Sequence, residues 1–212
     1  MGTCRVVMAA IVAGSVLLGI QAAAAHEAHH AKQADAKPKA ARVTLHDTQL
    51  VDFDGETVRF KSEAVGHRIV VVGFIYTSCT TICPVTSAIL GTVQERLVER
   101  LGEGLGLDVK LITLTIDPAT DTPERLKEYA ANFGSPAGWL WLTGDKPQVN
   151  KVLVGLGAYA ADVTRHSGAV LVGDARSGDW IRFYGIPDAR DIVDQVEHLL
   201  AARSRAGVSG RR

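Results

Sequence analysis

The sequence predicts an α/β fold in which helices flank a mixed central sheet. Residues 69–75 and 109–116 form two β-branched runs that are too short for core helices, as is typical of strands buried on both faces. After the first run, apolar residues recur every four positions at Val85, Ile89 and Val93, which indicates a helix. Strand and helix patterns continue to alternate, so we expect helices on both faces of one sheet.

A β-hairpin extension is expected on the N-terminal side of these strands. Residues 50–60 alternate between apolar and polar side chains around Asp54-Gly55, and an Asp-Gly pair in that setting is a strong hairpin signal. The later elements follow from their periodicity and end signals. They are a helix at 122–133, a strand at 139–142, a helix at 147–156, paired strands at 169–172 and 180–184, and a final helix at 189–202. This order is thioredoxin-like.

The N-terminus has the pattern of a targeting segment. Arg5 precedes an apolar or small stretch at 6–20, and the three alanines at 23–25 suit a cleavage site. We therefore expect a signal peptide at 1–25, with an uncleaved membrane anchor as the alternative. The protein is expected to be exported to the periplasm, either free or anchored to the inner membrane.

Residues 26–42 are polar and Ala-rich, so we expect a flexible tether. The tether contains His26, His29 and His30, which could bind Cu(II) or Zn(II) weakly, although a solvated tail is the better interpretation. Residues 43–203 are long enough for one domain with its own core, and 204–212 is expected to be a disordered tail. The 23 basic and 23 acidic residues balance, so neither nucleic-acid binding nor strong attachment to anionic lipid is expected.

Cys79 and Cys83 stand where the first buried strand gives way to a helix. If both lie in the first helical turn, their Cβ atoms are ~5–6 Å apart on one face. A helix N-terminus lowers a thiol pKa below its usual ~8.5. The pair could form a disulfide or bind a soft metal, and removal of Cys4 with the signal peptide would leave no other thiol. An inert structural disulfide, or two buried small side chains, is the alternative.

His166 immediately precedes the predicted late hairpin. In a thioredoxin-like fold the loop entering that hairpin lies beside the N-terminus of the first helix, so His166 could face both sulfurs. Two thiolates and one imidazole suit Cu(I), and further oxygen or nitrogen ligands would suit Cu(II). The alternative is a loop histidine that bonds to the backbone.

Four motifs together resemble the Sco (SenC) family of copper-binding, thioredoxin-fold proteins. They are Cys-x-x-x-Cys-Pro within 74–84, Asp-Pro-x-x-Asp-Thr-Pro within 115–123, Trp-Leu-Thr-Gly at 141–144, and His-Ser at 166–167. The resemblance covers about residues 50–185. It implies a copper chaperone that assists assembly of the copper centre of cytochrome c oxidase, with an oxidase subunit or another copper protein as its client.

The resemblance further implies that Cys79, Cys83 and His166 bind copper as Cu(I), Cu(II) or both. The cysteines would also cycle between dithiol and disulfide, which requires a thiol reductant as a partner. Asp117 and Asp121 match family positions, and we interpret Asp117 as structural, capping or orienting the loop after its strand, with a role in redox chemistry or copper transfer as the alternative.

The sequence departs from the family pattern at two places. The family commonly has Asp before the ligand histidine, where this chain has Arg165, and often has an acidic residue between the cysteines, where this chain has Thr80 and Thr81. Both departures remove negative charge near the site. Less negative charge favours the thiolate and weakens attraction for a cation.

Three other functions are compatible with the pattern. A thiol-disulfide oxidoreductase acting on copper proteins would need Cys79 and Cys83 but not His166. A peroxiredoxin-like peroxidase would use the Thr-x-x-Cys motif at 80–83, although Tyr76 stands where those enzymes have proline. A non-catalytic binding module would keep the cysteines bridged, and the three tryptophans, Trp139, Trp141 and Trp180, are expected in the core rather than in a docking patch.

Overall fold

The computed structural model describes residues 37–102, 104–134, 138–166 and 168–209. Residues 208 and 209 are described by their backbone alone. The predicted signal peptide or anchor, Cys4, the tether histidines at 26, 29 and 30, Ser167 and residues 210–212 lie outside the described residues. Among the described helices, none has a stretch both long and apolar enough to span a bilayer.

One eight-stranded mixed sheet organises the described chain. Its spatial order is β1-β8-β7-β4-β5-β6-β2-β3, in which β4, β5 and β6 are mutually parallel neighbours and every other neighbouring pair is antiparallel. The strands are β1 (Lys39–Ala40), β2 (Gln49–Asp52), β3 (Thr57–Arg59), β4 (Ile69–Ile75), β5 (Val109–Thr115), β6 (Trp139–Thr143), β7 (Ala169–Asp174) and β8 (Trp180–Tyr184). The arrangement is the predicted thioredoxin-like fold, and β2 with β3 forms the predicted hairpin extension.

Helices cover both faces of the sheet. The four main helices are α1 (Ile82–Leu101), α2 (Pro123–Ala130), α3 (Lys146–Gly155) and α4 (Ala189–Ser209). Shorter turns lie at Phe60–Val65, Gly104–Leu107, Ala131–Phe133 and Val163–Arg165. Alternate residues of β4 point to opposite faces: Val71 joins the core under α1, α2 and α4, whereas Val72 joins the core under α3 and the Phe60–Val65 turn.

Gly73 sets the approach of α1 to the sheet. It occupies the middle of β4, and a Cβ atom built on it would lie 2.5 Å from Cδ1 of Leu90 on α1. Any larger residue would push the helix away from the strand. The start of α1, which carries Cys83, is therefore held close to the end of β4.

Two domain boundaries differ from the prediction. Residues 39–42 were expected in the tether, but β1 pairs with β8 and the amide of Ala41 donates to the carbonyl of Trp180 at 2.8 Å. The unpaired backbone edge of β8 captures this segment. The disordered tail predicted from 204 is wrong for 204–209, because α4 continues to Ser209 and the Ser204 hydroxyl donates to the carbonyl of Leu200.

The tryptophans lie in the core, as predicted. Trp139, Trp141 and Trp180 are all buried, and the rings of Trp139 and Trp141 stack with their centroids 4.8 Å apart. The indole nitrogen of Trp139 donates to the hydroxyl of Thr113 at 2.9 Å. Trp139 and Trp141 therefore stabilise packing on the α1 side of the sheet, whereas Trp180 belongs to the core on the α3 side.

A buried ion pair ties α4 to the end of β7. Arg203 donates to both carboxylate oxygens of Asp174, at 2.6 and 2.7 Å, and to the carbonyl of His67. Burial raises the pKa of Asp174, but hydrogen bonds from Arg203 and from the amide of Arg176 outweigh burial and leave the pKa lowered. The pair thus stabilises the fold only while the carboxylate is charged.

We expect Arg203→Met to lower the free energy of unfolding at pH 7 by about 3–5 kcal/mol, because it leaves a buried carboxylate without its partner. A lowered carboxylate pKa contributes stability above the unfolded value of ~3.9 and loses it as pH falls through the folded value. The difference between variant and parent should therefore shrink below about pH 4 in urea titrations.

Arg100→Met is the matched control, because it breaks the exposed Arg100–Glu197 ion pair between α1 and α4. Its cost should stay under about 1 kcal/mol. Equal losses of unfolding free energy in the two variants would show that the buried Arg203–Asp174 pair stabilises the fold no more than an exposed ion pair.

Candidate metal and redox site

The two cysteines lie at the junction between β4 and α1, but not both in the helix. After β4 ends at Ile75, a turn closes with the amide of Cys79 donating to the carbonyl of Tyr76 at 3.1 Å. Thr81 is not helical, with φ −119° and ψ −89°, and α1 begins at Ile82. The condition that both cysteines lie in the first helical turn is therefore not met, because only Cys83 does.

The sulfur of Cys79 nevertheless sits over the helix start. The amide of Cys83 donates to Cys79 Sγ at 3.4 Å, and the hydroxyl of Thr81 lies 3.8 Å from the same sulfur. Both cysteines are buried, with side chains in the core on the α1 side, and both are free thiols. The fold thus brings the two thiols together as expected, through a turn rather than through helical spacing.

The two thiols have opposite acidities. Burial raises the pKa of Cys79, but hydrogen bonds from the Cys83 thiol and from the amides of Cys83 and Thr81 outweigh it and lower the pKa to about 7. Burial and the hydrogen bond to Cys79 raise the pKa of Cys83 to about 12. Near neutral pH, Cys79 is thus a partly ionised nucleophile stabilised by its neutral neighbour.

Two tyrosines near the thiols were not predicted to belong to the site. Burial, followed by the hydrogen bond to Cys79, raises the pKa of Tyr76 to about 12. Burial likewise raises the pKa of Tyr129 to about 12, and its hydroxyl lies 3.3 Å from that of Ser87. Tyr76 could have been found from its place after the strand, whereas Tyr129 comes from α2 and carries no local signal.

Asp121 holds the loop that leads to Cys79. Its fully buried carboxylate accepts hydrogen bonds from the amide and hydroxyl of Thr77 and from the hydroxyl of Thr115. Burial raises the pKa of Asp121 and outweighs these hydrogen bonds, which lower the pKa. Asp117 acts through its backbone: its carbonyl accepts from the amide of Asp121 at 2.9 Å, which closes the turn after β5.

His166 follows the short turn Val163–Arg165 on the way into β7. Its ring meets Phe74 edge to face with centroids 6.0 Å apart, and its buried Nε2 has no hydrogen-bond partner among the described residues. Burial, and then the charge of Arg182, lower its pKa, so the imidazole is neutral at neutral pH. His166 can therefore offer Nε2 of an uncharged imidazole as a ligand to a metal ion.

The structure does not bring His166 to the two sulfurs. In the described ranges, no three His, Cys, Asp or Glu side chains are close enough to hold one metal ion. The reason is the sheet: Phe74, which His166 contacts, belongs to the core on the α3 side, whereas the cysteines belong to the α1 side. The His166 loop approaches the start of α1 at Gly168, where a Cβ would lie 2.7 Å from the side chain of Ile82.

Comparison with known proteins identifies the family. The SCO1/SenC family model matches residues 36–199. The chain belongs to the SCO1/SenC family. The resemblance predicted from the four motifs is thereby confirmed.

Individual relatives match over parts of their sequences. The SCO1 protein homolog of Bacillus subtilis (strain 168) is 35% identical over 92 residues, which are 43% of this chain and 44% of that protein. An SCO2-like protein of Rickettsia prowazekii (strain Madrid E) is 33% identical over 104 residues, 49% of this chain and 46% of that protein. The chain thus spans about half the length of these relatives.

Solved structures match more of the fold. Yeast Sco1, solved with copper bound, superposes with a TM-score of 0.60 at 25% identity over 75% of this chain and 94% of that one. BsSco, described as a member of the Sco family of cytochrome c oxidase assembly proteins, gives a TM-score of 0.62 at 23% identity over 76% and 95%. These superpositions confirm the thioredoxin-like fold of the Sco proteins for this chain.

We expect the two thiols to react with iodoacetamide at very different pH. Alkylation of Cys79 in the reduced protein should be half-maximal near its pKa of about 7, because thiolate is present only above it, while Cys83 stays unreactive. Peptide mapping by mass spectrometry resolves each cysteine. In Cys83→Ala the Cys79 profile should move toward the usual ~8.5, since one hydrogen bond is lost; equal reactivity of both thiols would contradict the assigned asymmetry.

Asp121→Ala should lower the free energy of unfolding by at least about 2 kcal/mol, because it leaves the donors of Thr77 and Thr115 buried without an acceptor. Urea titration measures the loss. Asp117→Ala, in the same turn, is the control and should cost under about 0.5 kcal/mol. A small loss at Asp121 would mean that the Cys79 loop is held by other contacts.

Proposed function

We propose that this protein binds a copper ion as cargo through Cys79, Cys83 and His166 and delivers it to a copper protein. The observation that carries the proposal is the buried Nε2 of His166, which has no hydrogen-bond partner in the described part of the chain and lies in the loop that packs on the start of α1. Membership of the SCO1/SenC family and the likeness to copper-bound yeast Sco1 support copper as the metal.

The donor set fits this cargo. Two sulfurs in contact, one of them readily ionised, suit a soft ion such as Cu(I), and a neutral imidazole adds a nitrogen without adding positive charge. A further oxygen or nitrogen ligand would extend the same set to Cu(II). The aliphatic and aromatic side chains around the cysteines limit access of water to the sulfurs.

Capture of the ion by all three side chains requires the His166 loop to shift. The loop contacts Phe74 through His166 and Ile82 through Gly168, so a displacement past the end of β4 would carry the imidazole toward the sulfurs. Metal binding supplies the free energy for this shift, because the ligands gain bonds that the metal-free loop lacks.

A second candidate function is thiol-disulfide exchange, which the acidity difference of the two thiols favours. The Cys79 thiolate would attack a client disulfide and release one client thiolate, forming a mixed disulfide. Cys83 would then lose its proton and displace the second client sulfur, leaving the client reduced and Cys79–Cys83 oxidised. A thiol reductant would restore the dithiol.

The setting of this activity is also a proposal. The N-terminal signal peptide, or an uncleaved anchor, would place the domain in the periplasm, free or at the inner membrane. The client would be a subunit of cytochrome c oxidase or another copper protein, consistent with the description of BsSco as an oxidase assembly protein. The domain proper would start at β1 and end with α4, with residues 26–38 as the tether.

The test is an anaerobic Cu(I) competition titration of the reduced full chain and its variants. We expect one tight equivalent that Cys79→Ser or Cys83→Ser abolishes and that His166→Ala weakens by roughly tenfold or more, since a ligand should matter at least as much as an outer-shell residue. His198→Ala, which removes an exposed histidine of α4, is the matched control and should leave affinity unchanged.

The outcomes separate the two functions. Affinity that is indifferent to His166 but lost with either cysteine would leave a dithiol site and refute the three-ligand arrangement. Absence of tight binding, with rapid disulfide exchange retained, would refute copper handling and favour the oxidoreductase.

A further inference from the structure

A cationic cavity is lined in part by His166, and neither cysteine is among its lining residues. It has a volume of about 200 Å³ and is bounded by the chain after α3, by the His166 loop and by β8. Drug-sized ligands occupy clefts of ~300–1,000 Å³, so this cavity suits a smaller ligand. Its charged lining residues are Arg165 and Arg182.

Arg182 is a buried guanidinium without a carboxylate. It is 9% exposed in the middle of β8, and no ion pair among the described residues includes it. One of its nitrogens, Nη2, donates to the carbonyl of Leu156 at 2.5 Å. A guanidinium has five N–H donors and buried charges are normally paired, so the other donors are left for a ligand.

The surrounding backbone is shaped around this cation. Gly157 has φ +64°, and a Cβ on it would lie 2.9 Å from Arg182 Nη2, so the turn after α3 approaches the guanidinium closely only because it lacks a side chain. Outside the lining, the ammonium of Lys39 lies 5.9 Å from the ring centroid of Tyr184, a lining residue. The lining therefore presents two cations, Arg165 and Arg182, to one small space.

Acidic groups do not neutralise the cavity from within. Asp162 is the carboxylate whose pKa is lowered in part by Arg165, but it accepts hydrogen bonds from the amide and hydroxyl of Thr164 and is not a lining residue. The lining contains no Asp or Glu. A negative charge that pairs with Arg182 must come from outside the described chain.

We propose that this cavity binds a small anion with two or more oxygens, a carboxylate or a phosphate, between Arg182 and Arg165. The planar guanidinium matches such oxyanions with paired hydrogen bonds. The cavity shares His166 with the proposed copper ligands, but its anion-binding groups are the two arginines, and neither cysteine lines it.

The experiment titrates the reduced, metal-free full chain with inorganic phosphate and, separately, with acetate, at constant ionic strength maintained with sodium chloride. Backbone amide shifts are followed by NMR. We expect saturable shifts confined to residues 157–160 and 165–169, and the tighter of the two anions identifies the preferred chemistry. Shifts that do not saturate, or that spread over the surface, would overturn the proposal.

Variants give the decisive comparison. Arg182→Gln and Arg165→Gln should each weaken binding by about tenfold, which corresponds to loss of a charge-assisted contact. Arg125→Gln removes an equally exposed cation from α2 and should have no effect. Circular dichroism checks folding of Arg182→Gln, and exposed Arg165 provides the test if that variant unfolds; unchanged binding in the lining variants, or equal weakening in the control, would refute the site.

Discussion

The central strand β4 constrains everything around the site. It is hydrogen-bonded to β5 on one side and β7 on the other, and all seven of its residues are buried. Because the two faces of β4 pack against different helices, packing fixes both where the chain leaves this strand and in which direction. Gly73 then lets α1 return close to the strand, and Asp121 fastens the intervening loop through Thr77. The position of Cys79 is thus a consequence of core packing rather than of the cysteine motif itself.

The same local geometry makes the cysteine pair chemically unequal. Cys79 receives hydrogen bonds from the helix start and from Cys83, which stabilise its thiolate, while Cys83 is buried and faces that developing charge. One negative charge shared by two adjacent sulfurs supplies the thiolate that thiol exchange needs. It also presents two sulfurs to a metal cation without burying two negative charges side by side. The proposed metal and redox roles therefore draw on one arrangement and are not alternatives in structural terms.

Sequence patterns predicted the elements well, because hydrophobic periodicity reports burial directly. The two buried runs, the Asp-Gly hairpin and the core tryptophans are all where periodicity places them. Hydrophobic periodicity could not predict features that depend on contacts between distant segments. The pairing of β1 with β8 depends on a free strand edge, the start of α1 depends on the turn closed by Tyr76, and the separation of His166 from the sulfurs depends on which face of the sheet each joins. None of these three features produces a periodic pattern of apolar residues in the sequence.

His166 stands between two regions of opposite chemistry. Toward α1 lie soft sulfur donors, and toward β8 lies the buried charge of Arg182. That charge, after burial, lowers the pKa of His166 and so keeps a nitrogen lone pair available for a metal. The same charge would repel the metal cation once it bound, since Coulomb interactions are strong where water is excluded. A bound anion in the cavity would offset the repulsion, so occupancy of the cavity and affinity at the proposed copper site should rise together.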